Sequence, residues 1–190
     1  MNIISKENLF IGLVNTEMNK TILEKIMYTY HFKDMSAFIY ERGTDTINVI
    51  KERDTALWKM AYKNILKAPW SIDTMATFFL KKFGVSIFKN KDMPLYVFWS
   101  NILFAPIKFF IDVNVQADIY AMIGEYFAIP SSIHEVLIVP KKDFSEVSIE
   151  NIKDKMSEVN EMVSMNFFNN FNEMLSNYAF EYTKKYGLKG

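Results

Sequence analysis

The stretch MSAFIYERGTDTINVIKE, Met35 to Glu52, decides the fold class. Two apolar runs, Ala37–Tyr40 and Ile47–Ile50, flank a turn that contains Gly43 and Asp45. Aromatic and β-branched runs joined by a short Gly/Asp turn form a β-hairpin, and a hairpin pairs its strands antiparallel. Strands that alternate with helices in this chain therefore do not build a doubly wound parallel sheet. The class expected is α+β, with mixed or antiparallel sheets and packed helices.

Upstream of the hairpin, NLFIGLVNT reads as a strand. Thr16 is placed to cap the segment EMNKTILEKIM, in which Met18, Ile22, Leu23 and Ile26 share a helical face. Downstream, Asp54 opens the helix TALWKMAYKNILKA and Pro69 stops it. Ser71 is placed to cap a further helix, IDTMATFFLKKFG, closed by Gly84.

The polar connector at residues 85–93 is the best boundary between two halves. One domain over 1–190 is expected, with small lobes at 1–84 and 94–190. Beyond the connector, LYVFWSN and LFAPIKFFI read as two strands turning near Ser100–Asn101, with Pro106 at an edge or a bulge. NVQADIYAMIGEYF reads as a helix with Val115, Ile119, Met122 and Ile123 inward, and HEVLIVP as a strand ending at Pro140. Ser148 caps IENIKDKMSEVNEMV, whose Ile149, Ile152, Met156, Val159 and Val163 form an apolar stripe. The tail reads as an early helix followed by the extended segment NYAFEYT.

Composition excludes several functions. The chain has no cysteine, which removes thiol catalysis, disulfide scaffolds and Cys-based metal sites. Its 22 basic residues balance 22 acidic ones, so no global field draws it to nucleic acid or anionic lipid. The start MNIISKENLF does not read as a signal peptide, and the most apolar stretch is interrupted by Ser100, Asn101, Pro106 and Lys108. A cytoplasmic protein that does not enter a membrane is expected. The six glycines are unclustered, which argues against a phosphate loop, and His31 and His134 are far apart with no metal-ligand spacing. No cofactor and no metal are expected.

The remaining candidates are local. Ser132, His134 and Glu135 hold the residue types of a hydrolase site, yet two-residue spacing on a strand does not make a nucleophile–base pair. A Pro130-Ser131-Ser132 turn that launches the following strand is the competing reading. Lys81, Lys82, Lys89 and Lys91 interleave with aromatic residues in a pattern able to hold single-stranded nucleic acid, against the plainer reading of a helix end followed by a solvated linker. The acidic run from Asp143 to Glu161 reads as an ordinary amphipathic helix rather than a phosphate mimic. Aromatic residues make up 16% of the chain, and Trp99, Phe104, Phe167, Phe168 and Phe171 are candidates for an interface, with filling of the core between the lobes as the equal alternative.

The segments LVNTEMNKTILEKI, ALWKMAYKNILKAPWSIDTM and MPLYVFWSN, and above all PSSIHEVLIVP from Pro130 to Pro140, resemble one bacterial family. It is an uncharacterised domain-of-unknown-function family of low-GC Gram-positive bacteria and their mobile elements. The resemblance runs over residues 9–183, with PSSIHEV as its specific signature. It implies a fold and a cytoplasmic setting but no activity. The expectation is a non-catalytic, intracellular protein-binding module, acting as an accessory or anti-defence inhibitor of a phage or mobile element. A protein partner or a homo-oligomer follows from it, and nucleic acid is not favoured. The alternative is a ligand-binding protein or hydrolase with a His134-centred pocket between the lobes, using Ser132, Glu135 and His31.

Overall fold

The computed structural model describes residues 5–24, 30–43, 47–50, 54–84, 95–102, 104–143, 175–176 and 178–189. Its class is α+β, with two antiparallel sheets. The first holds β1 (Leu9–Asn15), β2 (Tyr30–Phe32), β3 (Met35–Arg42) and β4 (Ile47–Val49). Along one edge β3 pairs with β1, and along the other with β2 and then β4. The Met35–Glu52 hairpin is thus β3 and β4, with Tyr40 opposite Val49.

The second sheet has six strands in the order β10-β9-β7-β8-β6-β5, every neighbour antiparallel. These are β5 (Trp70–Thr74), β6 (Tyr96–Ser100), β7 (Tyr126–Ile129), β8 (Glu135–Pro140), β9 (Phe180–Thr183) and β10 (Gly187–Lys189). β5 precedes the 85–93 connector and pairs with β6 beyond it. The connector itself and the expected 148–163 helix lie outside the described residues.

The helices are the short α1 (Lys20–Leu23), α2 (Thr55–Lys67), α3 (Met75–Phe83), α4 (Ala105–Ile111) and α5 (Val113–Ile123). Asp54 caps α2 by accepting from the Ala56 and Leu57 N–H groups, as its sequence position predicts. Gly84 closes α3 in the left-handed conformation, with its N–H on the Leu80 carbonyl.

Four expectations are corrected. LFAPIKFFI is the helix α4, not a strand: Pro106 sits in its first turn, where the missing N–H costs nothing, and Lys108 reaches Asp112 one turn on. Residues 70–74 form β5, so α3 starts later and Thr74, not Ser71, accepts the capping bond, from the Thr77 N–H. α5 ends at Gly124, and Tyr126–Ile129 leave it as β7; Met122 is 61% exposed rather than inward. At the end of β1, Asn15 accepts the Met18 N–H, while the Thr16 hydroxyl bonds Ser36 instead of acting as the cap.

Strand alternation sorts the side chains into layers. Leu9, Ile11 and Leu13 of β1 and Met35, Ala37 and Ile39 of β3 join one large apolar cluster. It also takes Phe98, Tyr126, Val136, Ile138 and Phe180 of the second sheet and the inner faces of α2, α4 and α5. The reverse face of the first sheet holds Val14, Phe38 and Tyr40 against Phe104 and Ile133. The reverse face of the second holds Val97, Leu137 and Val139 under Met75, Phe78 and Phe79 of α3.

Candidate functional site

The Pro130–Val136 stretch leaves β7, crosses to the first sheet and enters β8. Ile133 is fully buried among Val14, Phe38, Tyr40 and Phe104. The carbonyls of Pro130 and Ser131 accept the N–H groups of Ser176 and Leu175 at 3.0 and 3.2 Å. The Leu175 carbonyl accepts from Asn15 Nδ2 at 3.1 Å, and the Ser176 hydroxyl donates to Asp34 Oδ1 at 2.7 Å. One stretch therefore ties the end of β1, the β2–β3 turn and the C-terminal arm into a clasp.

The hydroxyls serve that clasp. Ser131 and Ser132 both donate to Glu135 Oε1, at 3.1 and 2.6 Å, and Ser132 Oγ accepts the His134 N–H at 3.0 Å. A serine accepting the N–H two residues on is a side-chain-stabilised turn. The Ser132 proton thus points to Glu135, whereas a Ser-His-acid hydrolase needs it on the imidazole. Nε2 of His134 is buried. His31 lies on β2 opposite Ser36.

Cross-strand register brings further candidates beside Glu135. Ser71, Trp99 and Glu135 form one row across β5, β6 and β8, on the face that α3 covers. The Trp99 indole N–H donates to Asp73 Oδ2 at 2.9 Å, and Lys81 bonds Asp73 Oδ1 at 2.7 Å. Lys82 stands 5.2 Å from the centre of the Trp99 ring. Burial acts to raise the Asp73 carboxyl, but the Lys81 and Trp99 bonds and the Lys81 charge hold it below its ordinary value. Phe104 is fully buried on the first sheet and offers nothing to a partner. Lys89, Lys91, Phe167, Phe168 and Phe171 lie outside the described residues.

Sequence reading passed over another surface. The outward arc of α2 carries Lys59, Tyr62, Lys63, Leu66 and Lys67, all exposed, and the helix contains no acidic residue. At 100° per residue these five fall within about 140° of arc, opposite the buried Ala61, Ile65 and Ala68. Lys59, Lys63 and Lys67 follow one another at single-turn intervals, and none of them is ion-paired among the described residues. The signal was present in the sequence as lysines at i, i+4 and i+8 with no acid between them.

At its C-terminal end α2 borders an open groove of about 420 Å³. Glu7, Arg42, Asn64, Lys67 and Asn101 line it together with Phe10. Asn64 is fixed there by donating to the Lys6 and Leu9 carbonyls, each at 2.9 Å. Arg42 donates to the Asn101 carbonyl at 3.4 Å. A second concavity shares Phe10 and Arg42, and neither is lined by Ser132, His134 or Glu135. No group of three potential metal ligands occurs among the described residues, and no described helix is long and apolar enough to cross a membrane.

The family model of a family of unknown function, DUF5688, matches residues 4–184. The chain belongs to that family. The match takes in the first sheet, five strands of the second, the clasp and α2, and ends before β10. No curated protein and no solved structure proved similar to this member.

Proposed function

We propose that this DUF5688 member is a non-catalytic, intracellular protein-binding module. One observation carries the reading: α2 turns Tyr62 and Leu66, 42% and 39% exposed, outward beside three lysines that have no acidic partner among the described residues. Two apolar side chains one turn apart, framed by like charges, offer a partner an apolar anchor point with a polar rim, the layout of a docking surface. The clasp adds support, because its serines and glutamate are engaged with one another and neither concavity reaches them. The setting we propose is an accessory or inhibitor role in a phage or mobile element; the family resemblance supports it, and genomic neighbourhood tests it.

Site-specific photo-cross-linking tests the docking surface in living cells. A photoreactive phenylalanine analogue at position 62 is expected to give a discrete protein adduct that disappears when Lys59 and Lys63 are both changed to Glu. The same analogue at Met122, exposed on α5, is the control. Adducts that are equal at both positions, or indifferent to the charge reversals, refute the reading.

A further inference from the structure

We infer that the groove at the end of α2 is a carboxylate site, and that the partner is an acidic polypeptide segment with an apolar anchor. This rests on α2 being a docking face, and it adds the chemistry of what docks.

Arg42 is one of only two arginines in a chain with 22 basic residues. It lies in the groove with Lys67, and Glu7 is the one acid among the described lining residues, which together carry a net charge of +1 (two cations against one anion). Its guanidinium has five N–H donors, and the structure gives it one bond, 3.4 Å long, to a backbone carbonyl. Among the described residues no carboxylate bonds it. A planar donor fork takes a carboxylate edge-on through two parallel bonds, and Phe10 in the same lining adds an apolar wall.

Position strengthens the case. Lys67 belongs both to the groove and to the lysine column, so the column Lys59–Lys63–Lys67 runs directly into it. An extended or helical segment lying along α2 would set acidic side chains on the column and an apolar one on Tyr62 and Leu66. Its next carboxylate would fall to Arg42. Tyr62 is a single ring and Leu66 has no flat face, so successive nucleobases find no run of stacking platforms on this face, which favours a polypeptide over a nucleic acid. The carboxylate could be a side chain or a chain terminus, since both present the same two oxygens.

The test is fluorescence anisotropy on the full chain at low salt, with a labelled nine-residue peptide of Glu and Leu. Its Gln/Leu counterpart and its C-terminal amide separate the two carboxylate sources. The Glu peptide is expected to bind at least tenfold more tightly than the Gln peptide. Arg42→Gln is expected to weaken it at least fivefold, Arg42→Lys less, and Glu7→Gln to strengthen it. A loss in the amide alone assigns the terminal carboxylate.

Binding that needs Lys59 and Lys63 but ignores Arg42 overturns the groove assignment and leaves the docking face standing. Binding indifferent to all of them removes the docking face too. Equal binding of the Glu and Gln peptides overturns the inference, as does a labelled single-stranded oligonucleotide, or a vesicle containing anionic lipid, that binds more tightly than the Glu peptide.

Discussion

Replacing Ile133 with Ala should unfold the protein far more readily than any change to the neighbouring polar residues. Ile133 is fully buried, and its neighbours Val14, Phe38, Tyr40 and Phe104 are rigid or strand-bound. Phe104 meets Phe38 and Tyr40 edge-on at 5.4 and 5.1 Å, so the rings cannot slide together to fill a void. A site that cannot collapse retains its cavity, which puts the cost at about 3 kcal/mol or more for Ile→Ala and about 1 kcal/mol for Ile→Val. For a chain of this size that is a fall in melting temperature of roughly 6–12 °C for the alanine variant.

Ser132→Ala removes the bond to Glu135 and the acceptor for the His134 N–H, both in a half-buried setting, for about 1–2 kcal/mol. Urea denaturation followed by tryptophan fluorescence reads all three variants in the same units. The expected order of cost is Ile133→Ala, then Ser132→Ala, then Ile133→Val, the last two close together. If Ile133→Ala costs less than Ser132→Ala, the stretch is not anchored through its apolar residue and the clasp is misassigned.

Three further outcomes follow from other parts of the fold. Lys108 is almost wholly buried between the Leu66 carbonyl and Asp112, so Lys108→Met strands a buried carboxylate and should cost about 3–5 kcal/mol, much of it recovered in the Lys108→Met, Asp112→Asn double variant; chemical denaturation gives the cycle. Burial acts to raise the Asp112 carboxyl, yet the Lys108 bond and charge and the Asn114 and Val115 N–H groups hold it, like Asp73, below 3.8. The stability these two carboxylates contribute is therefore present above the unfolded value of 3.8 and is lost as pH falls through the lower folded values, a loss that Asp112→Asn should reduce in acid-unfolding curves. A Cβ on Gly12 would stand 2.5 Å from the Phe38 ring, so Gly12→Ala should cost about 1–3 kcal/mol in thermal melts, with partial recovery when Phe38 is also changed to Leu.

Much of the fold was legible because local signals agreed with the tertiary result. The 35–52 hairpin, the Asp54 cap with its Pro69 stop, the Gly84 closure and the strand ending at Pro140 all declare themselves within a few residues. The misreadings share a different cause. LFAPIKFFI is apolar on every side because α4 packs against β6, β8, α2 and β1, so it has no polar face to mark a helical period. Trp70–Thr74 is a strand through pairing with β6, and Tyr126–Ile129 pairs on one side with β9, partners distant in sequence that no window of neighbours contains.

The site was harder to read because attention goes to unusual residue types, while here the informative feature is which residues are missing. Ser132, His134 and Glu135 resemble chemistry, yet register and burial make them parts of a turn. Twenty-two bases against 22 acids sum to zero, and that sum conceals a helix with three lysines and no acid. Charge acts over about a Debye length, roughly 8 Å at physiological salt, so a partner lying along α2 responds to Lys59, Lys63, Lys67 and Arg42 rather than to the total. A neutral chain thus presents a basic face wherever its acids are drawn elsewhere, and among the described residues four of them are: Asp73 to Lys81, Asp112 to Lys108, Glu135 to two serines, and Glu181 to Lys141.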